Sequence, residues 1–223
     1  MQGSFLKTGP GAERRGTQVK ICGFTKPENV RAAAALPADA FGFVLFAKSK
    51  RRVAEEELPA LLAEVPARVT PVLLLVDPEP EQVLRLAKRF PQVMLQFHGN
   101  EPRELCELSG LPYMKAVHFR EPGELLAAEK AYPAAAGILA DCPAPESAAP
   151  GGNGVAFDWK AAEAEARRMA KPLVVAGGLR PENAAEAARL LAPAALDVSS
   201  GVECAPGIKD MMKSRKFLEA VKL

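Results

Sequence analysis

Residues Leu173 to Asp210, LVVAGGLRPENAAEAARLLAPAALDVSSGVECAPGIKD, hold two short apolar runs that each end in a glycine-bearing turn, with a helical segment between them. Apolar runs of four or five residues bounded by turn signals, here Leu173 to Ala176 and Ala194 to Val198, are the pattern of parallel strands buried on both faces. Gly177 and Gly178 follow the first run, and Ser199, Ser200 and Gly201 follow the second. Both turns can therefore bring bare backbone N–H groups close to an anion, aided by the partial positive charge of a helix N-terminus. In an eightfold strand–helix barrel, the loops after strands seven and eight frequently build the phosphate site. The reading of this stretch turns on whether six strands precede it.

Six do. Strand patterns fall at Val19 to Cys22, Ala40 to Leu45, Thr70 to Val76, Val93 to Gln96, Tyr113 to His118 and Gly137 to Ala140, the last ending at Asp141. Helical segments lie between them. The first opens on Thr25-Lys26-Pro27-Glu28, which reads as a capping box with proline in the first turn. Others run from Ala54 to about Leu62, from about Pro102 to Leu108, from about Pro122 to Lys130 and from near Trp159, and Lys209 to Val221 closes the chain. Between Asp77-Pro78 and the fourth strand lies an amphipathic helix with Val83, Leu84, Leu86, Ala87 and Phe90 on one side. Eight strand-then-helix units at a spacing near 25 residues predict a single α/β domain, a (β/α)₈ barrel over residues 19–223. An open, doubly wound sheet uses the same alternation, but the count of eight favours closure. Residues 1–18, rich in glycine and poor in apolar residues, read as a flexible extension outside the fold.

The composition of the 223 residues, 48% apolar and 25% charged with a net charge of +2, is that of a globular domain and offers no basic patch for nucleic acid. No run is long enough to cross a membrane, and no apolar signal segment opens the chain, so a cytoplasmic location is the expectation. Cys22, Cys106, Cys142 and Cys204 are scattered without a CxxC pair, which speaks against a zinc or disulfide framework and for free thiols.

Barrel active sites lie where the strands end. Cys22 closes the first strand, His98 follows the fourth, His118 closes the fifth and Asp141 the sixth. A thiol and a carboxylate brought to one barrel mouth suit proton shuffling on a small phosphorylated molecule, and no cofactor motif accompanies them. Cys142 is a rival to Cys22, although a loop positions a base less well than a strand end. Asp197 could support neighbouring backbone. Of the basic pair after the second strand, one of Arg51 and Arg52 can meet a carboxylate or phosphate through its guanidinium fork while alternation sends the other away.

Six segments in order, VKICGFTKPENV, FGFVLFAKSKRRV, LQFHGNE, GGNGVAFDW, VVAGGLRPENA and DVSSGVECAPGIKD, resemble the phosphoribosylanthranilate isomerases of tryptophan biosynthesis. The resemblance implies a cofactor-independent Amadori rearrangement, with Cys22 as general base at sugar C2 and Asp141 as general acid at the ring oxygen. It implies Arg51 at the anthranilate end of the substrate and His98 lining the pocket. Phosphate would be held around Gly177, Gly178, Ser200 and Gly201, and by Gly152 to Gly154 if the long loop folds over. The partner implied is a small phosphoribosyl substrate, with neither nucleic acid nor membrane, and the assembly a monomer or homodimer. Two rivals stand beside this reading. The related sugar isomerase of histidine biosynthesis uses two aspartates, which Cys22 speaks against, and a barrel that only binds a phosphosugar would not need both proton-transfer groups.

Overall fold

The computed structural model describes residues 5–6, 16–142 and 158–222. Eight parallel strands close on themselves: β1 (Gln18–Cys22), β2 (Ala40–Val44), β3 (Thr70–Leu75), β4 (Met94–Phe97), β5 (Tyr113–His118), β6 (Gly137–Asp141), β7 (Leu173–Val175) and β8 (Ala195–Val198). Closure is the pairing of β1 with β8, which runs from Gln18 opposite Ala195 to Ile21 opposite Val198. Between and after the strands lie α1 (Pro27–Ala33), α2 (Leu58–Ala63), α3 (Pro80–Arg89), α4 (Arg103–Glu107), α5 (Glu124–Ala131), α6 (Trp159–Ala166), α7 (Pro181–Leu191) and α8 (Met211–Lys222). The expected (β/α)₈ barrel is the fold observed.

Period-two alternation sorts each strand between two cores. In β1, Val19 and Ile21 face outward into the layer packed by the helices, whereas Lys20 and Cys22 belong to the interior. In β8, Leu196 and Val198 face outward and Ala195 and Asp197 inward. The lower interior is apolar, built from Ala40, Val72, Met94, Met114, Leu139, Val174 and Ala195. Phe5 and Leu6 join this cluster, 2% and 5% exposed. The Leu6 amide donates to Gln18 Oε1 at 3.0 Å and the Phe5 amide to Thr70 Oγ1 at 3.4 Å. Leu6 holds a left-handed φ of 55° to do so, a conformation costing a branched residue about 1–2 kcal/mol that its burial offsets. These two residues of the expected extension therefore pack inside the barrel, and Gln18, placed in that extension from sequence, begins β1.

Several boundaries differ from expectation for identifiable reasons. Thr25 does not cap α1: Lys26 takes the cap position, and the Thr25 hydroxyl donates instead to the carbonyl of Gly207 at 3.1 Å. The second helix begins at Leu58 rather than Ala54, because Glu57 turns back to accept from the Ala54 amide at 2.7 Å and Pro59 stands in the first helical turn. The last helix begins at Met211, and the residues ahead of it form a hairpin of β9 (Glu203–Ala205) and β10 (Ile208–Lys209). Asn29 on α1 clamps this hairpin, donating to the Lys209 carbonyl at 2.9 Å and accepting from its amide at 2.7 Å. In α7 the equivalent Asn183 accepts from the Arg180 amide and donates to the Gly178 carbonyl. The matching Pro-Glu-Asn openings of α1 and α7 thus each fasten a neighbouring loop. Among the described residues, no helix is long and apolar enough to cross a membrane.

Candidate active site

The strand ends open on a cavity of about 680 Å³, including space open to solvent, lined by Cys22, Arg51, Gln96, His98, Asp141, Gly177, Gly178, Leu179, Asp197, Ser199 and Ser200 among others. The seven that the resemblance assigns to the site, Cys22, Arg51, His98, Asp141, Gly177, Gly178 and Ser200, therefore meet at one place. Gly201 sits behind the cavity, where its α-carbon packs so tightly on the Leu179 carbonyl that a β-carbon would collide with it. Gly152 and Gly154 lie outside the described residues.

Cys22 is buried at the end of β1, directly opposite Gly42 on β2. A β-carbon on Gly42 would stand 2.7 Å from the Cys22 sulfur, so the glycine makes room for the thiol. Burial pushes the thiol's pKa up, an effect that the Lys20 ammonium partly offsets. Lys20, wholly buried two residues earlier on the same face, pairs with Asp197 at 2.7 Å. Burial opposes the charge of Lys20, but Asp197 and then the Cys22 sulfur outweigh it and keep the amine protonated.

Asp141 is 4% exposed at the end of β6. Its Oδ1 accepts from the Cys142 amide at 2.8 Å, and its Oδ2 lies 3.0 Å from His98 Nε2. Gln96 Nε2 is 2.9 Å from the other ring nitrogen of His98, Nδ1. An amide nitrogen only donates, so Nδ1 accepts and the proton of His98 sits on Nε2, directed at the carboxylate. His118, beside Asp141 in the register of β5 and β6, packs its ring edge-on against His98 with centroids 5.3 Å apart. Burial, then the neighbouring His98, pulls its pKa below the ordinary histidine value.

Arg51 reaches the cavity wall held by Glu203, which accepts from Nε at 2.8 Å and from Nη2 at 2.7 Å. Lys209 Nζ joins the same carboxylate at 2.6 Å. Although burial works against its charge, Arg51 and then Lys209 hold Glu203 below the usual carboxylate range. Arg52 is exposed, as alternation requires. On the far side, Gly177 and Gly178 take φ values of 78° and 62°. A β-carbon on Gly177 would stand 2.7 Å from Asp141 Oδ1, so only glycine lets this turn lie against the carboxylate. Of the other cysteines, Cys106 is buried in α4 with its thiol pushed up to about 12 by burial, Cys142 is half-buried, and Cys204 is exposed.

Sequence reasoning passed over Lys20, Gln96, Glu203 and Lys209. Lys20 and Gln96 had a legible signal, since each stands two residues before a candidate, Cys22 and His98, on the same strand face. Glu203 and Lys209 had none, because the hairpin that carries them is too short to show a period.

A closed barrel that turns a thiol and a carboxylate into one cavity at its C-terminal mouth defines an enzyme of the acid–base class. The family model for N-(5'-phosphoribosyl)anthranilate (PRA) isomerase matches residues 19–220, and the chain belongs to that family. It is 43% identical over 205 residues to the N-(5'-phosphoribosyl)anthranilate isomerase of Chromohalobacter salexigens, covering 92% of this chain and 94% of that one. Among solved structures it is similar to phosphoribosyl anthranilate isomerase from Thermotoga maritima, with a TM-score of 0.82, 36% identity, and coverage of 92% and 98%. Another solved isomerase, in complex with reduced 1-(o-carboxyphenylamino)-1-deoxyribulose 5-phosphate, gives a TM-score of 0.80 at 35% identity, with coverage of 92% and 98%. The chain is thus an aldose–ketose isomerase of tryptophan biosynthesis.

Proposed function

We propose that Asp141 and Cys22 divide the two proton transfers by which N-(5-phosphoribosyl)anthranilate becomes 1-(2-carboxyphenylamino)-1-deoxyribulose 5-phosphate. Asp141 gives a proton to the furanose ring oxygen. The C1–O bond breaks as the anilino nitrogen lone pair forms a Schiff base at C1. The carboxylate left behind is received by the Cys142 amide and by His98 Nε2–H. Cys22, as thiolate, takes the proton from C2, and the resulting enolamine ketonises to product. Only protons move, so the scheme calls for no cofactor. Gly177, Gly178, Ser200 and, through the loop it supports, Gly201 would hold the phosphate, and Gly152 and Gly154 belong to the same expectation. Arg51 would meet the anthranilate carboxylate with the edge of its guanidinium that Glu203 leaves uncovered.

The observation that carries this reading is that Cys22 and Asp141, 119 positions apart in the chain, face the same cavity with the Gly177 turn packed against the acid. The proposed location is the cytoplasm, where amino-acid biosynthesis would meet its substrate. Monomers generated from a dimer have been crystallised for the T. maritima enzyme, and the assembly proposed for this chain is a monomer or homodimer. The test is the fluorescence decay of freshly made phosphoribosylanthranilate on adding the protein without metal or cofactor, with Cys22→Ser alongside. Rapid decay, slowed at least about 100-fold in the variant, is the expected result; equal decay removes Cys22 from the mechanism.

A further inference from the structure

Three adjacent strand ends carry a second pattern that proton transfer does not use in full. His98 after β4, His118 closing β5 and Asp141 closing β6 offer two imidazoles and a carboxylate whose ligand atoms all lie within 4.8 Å of one another. His118 is outside the lining of the substrate cavity. Its Nδ1 is buried and without a hydrogen-bond partner among the described residues, while the ring's contact with the backbone of Cys142 leaves Nε2 as the donor. A metal-binding histidine has this arrangement, in which one nitrogen donates to a backbone carbonyl and the other presents its lone pair. Asp141 is similarly prepared, since the Cys142 amide fixes Oδ1 and Oδ2 turns toward His98.

We propose that His98, His118 and Asp141 form a binding site for a divalent cation of the zinc class at the barrel mouth, and that its occupation switches the isomerase off. Two imidazoles and a carboxylate are a donor set suited to Zn²⁺ or Co²⁺, and three protein ligands leave one position for water. Bonds of about 2.0–2.1 Å to a tetrahedral ion separate ligand atoms by about 3.4 Å. The pair at 3.0 Å and the limit of 4.8 Å bracket that spacing, so small side-chain rotations suffice. One proton leaves the protein on binding, the acid proton of Asp141, which is released to solvent as Oδ2 ligates the ion. As the ion takes Nε2, His98 loses that proton to solvent and regains one from solvent on Nδ1. Gln96 turns its amide over so that Oε1, which is buried and without a hydrogen-bond partner among the described residues, accepts from the new Nδ1–H. The metal then occupies Asp141 Oδ2, and the carboxyl group can no longer protonate the ring oxygen. The inhibition, though not the binding, rests on the acid role proposed for Asp141.

The test is a titration of EDTA-treated protein with Co²⁺, read by the visible d–d bands of the bound ion, followed by displacement with Zn²⁺. Turnover is measured in parallel at buffered free Zn²⁺. One Co²⁺ per chain is expected, with turnover falling as the site fills and returning on chelation. His118→Ala should weaken binding by at least about tenfold, since even outer-shell partners of metal ligands are worth 10–100-fold. It should keep its metal-free turnover and escape inhibition. His118→Gln serves the same purpose if the alanine variant folds poorly. Equal Co²⁺ binding by wild type and both His118 variants overturns the site, as does binding that disappears in Cys204→Ser. Metal bound through His118 with turnover intact supports the site and overturns Asp141 as the acid.

Discussion

The two ends of the barrel interior are built from the same eight strands in opposite materials. At the lower end Phe5, Leu6, Val72, Met94, Met114 and Leu139 form an apolar cluster. Two or four residues further along the strands, the same inward face carries Lys20, Cys22, Gln96, His98, Asp141 and Asp197. The lower half gains stability by removing apolar area from water, about 25 cal/mol per Å². The upper half sets charges into a buried place, where each must be paired to be tolerated. One end holds the ring of strands together so that the other can afford polar groups that packing alone would reject.

That division is open to attack, first at the mouth. Cys22→Ser and Asp141→Asn should each reduce kcat by roughly 10² to 10⁴ while the thermal midpoint stays near the wild-type value. A large drop in midpoint would show that the thiol or the acid also holds the barrel together.

Lys20→Met tests the boundary between the halves. It strands Asp197 as a buried, uncompensated charge and should cost about 3–5 kcal/mol of stability in denaturant unfolding. Lys20→Met with Asp197→Leu should recover most of that loss without recovering turnover. At the lower end, Phe5→Ala should cost about 3 kcal/mol, the low end of the range for a buried phenylalanine. Its kcat at 25 °C should be unchanged, and lost turnover there would break the comparison.

The smallest effect is the pH profile. Burial raises the Cys22 thiol, and the groups around it, Lys20, Asp197 and Lys209, modulate that shift. In the proposed mechanism the thiolate is the base, so its fraction grows with pH below the raised pKa, and kcat limited by C2 proton removal, after Asp141 has given its proton, should climb above pH 7 by up to about tenfold per unit. A flat profile would mean that Cys22 does not limit the rate.

How much of this was legible varies with the period of the element. The strands announced themselves because each is a short apolar run between turn signals, and Cys22, Asp141 and His98 followed from standing where those runs stop. Thr25 misled, since a Thr-x-x-Glu spacing is equally compatible with a hydroxyl bonded across space to Gly207, 182 positions away. Phe5 and Leu6 were hidden by the glycines around them, because two apolar residues show no periodicity. Glu203 and Lys209 became visible only when the hairpin folded back over Arg51. In each case the deciding contact is long-range, and local pattern carries no information about it.

The closure of β1 on β8 makes the barrel a ring, and distance around a ring differs from distance along a chain. Cys22 and Asp141 are five strands apart by way of β2 to β5, but three apart by way of β7 and β8. On that short arc the two glycine turns stand between Asp141 and Cys22, and Arg51 and His98 occupy the long one. In the proposed mechanism, a substrate with its phosphate at the centre of the short arc would lie between these two groups, with its aromatic end turned toward the other side of the ring.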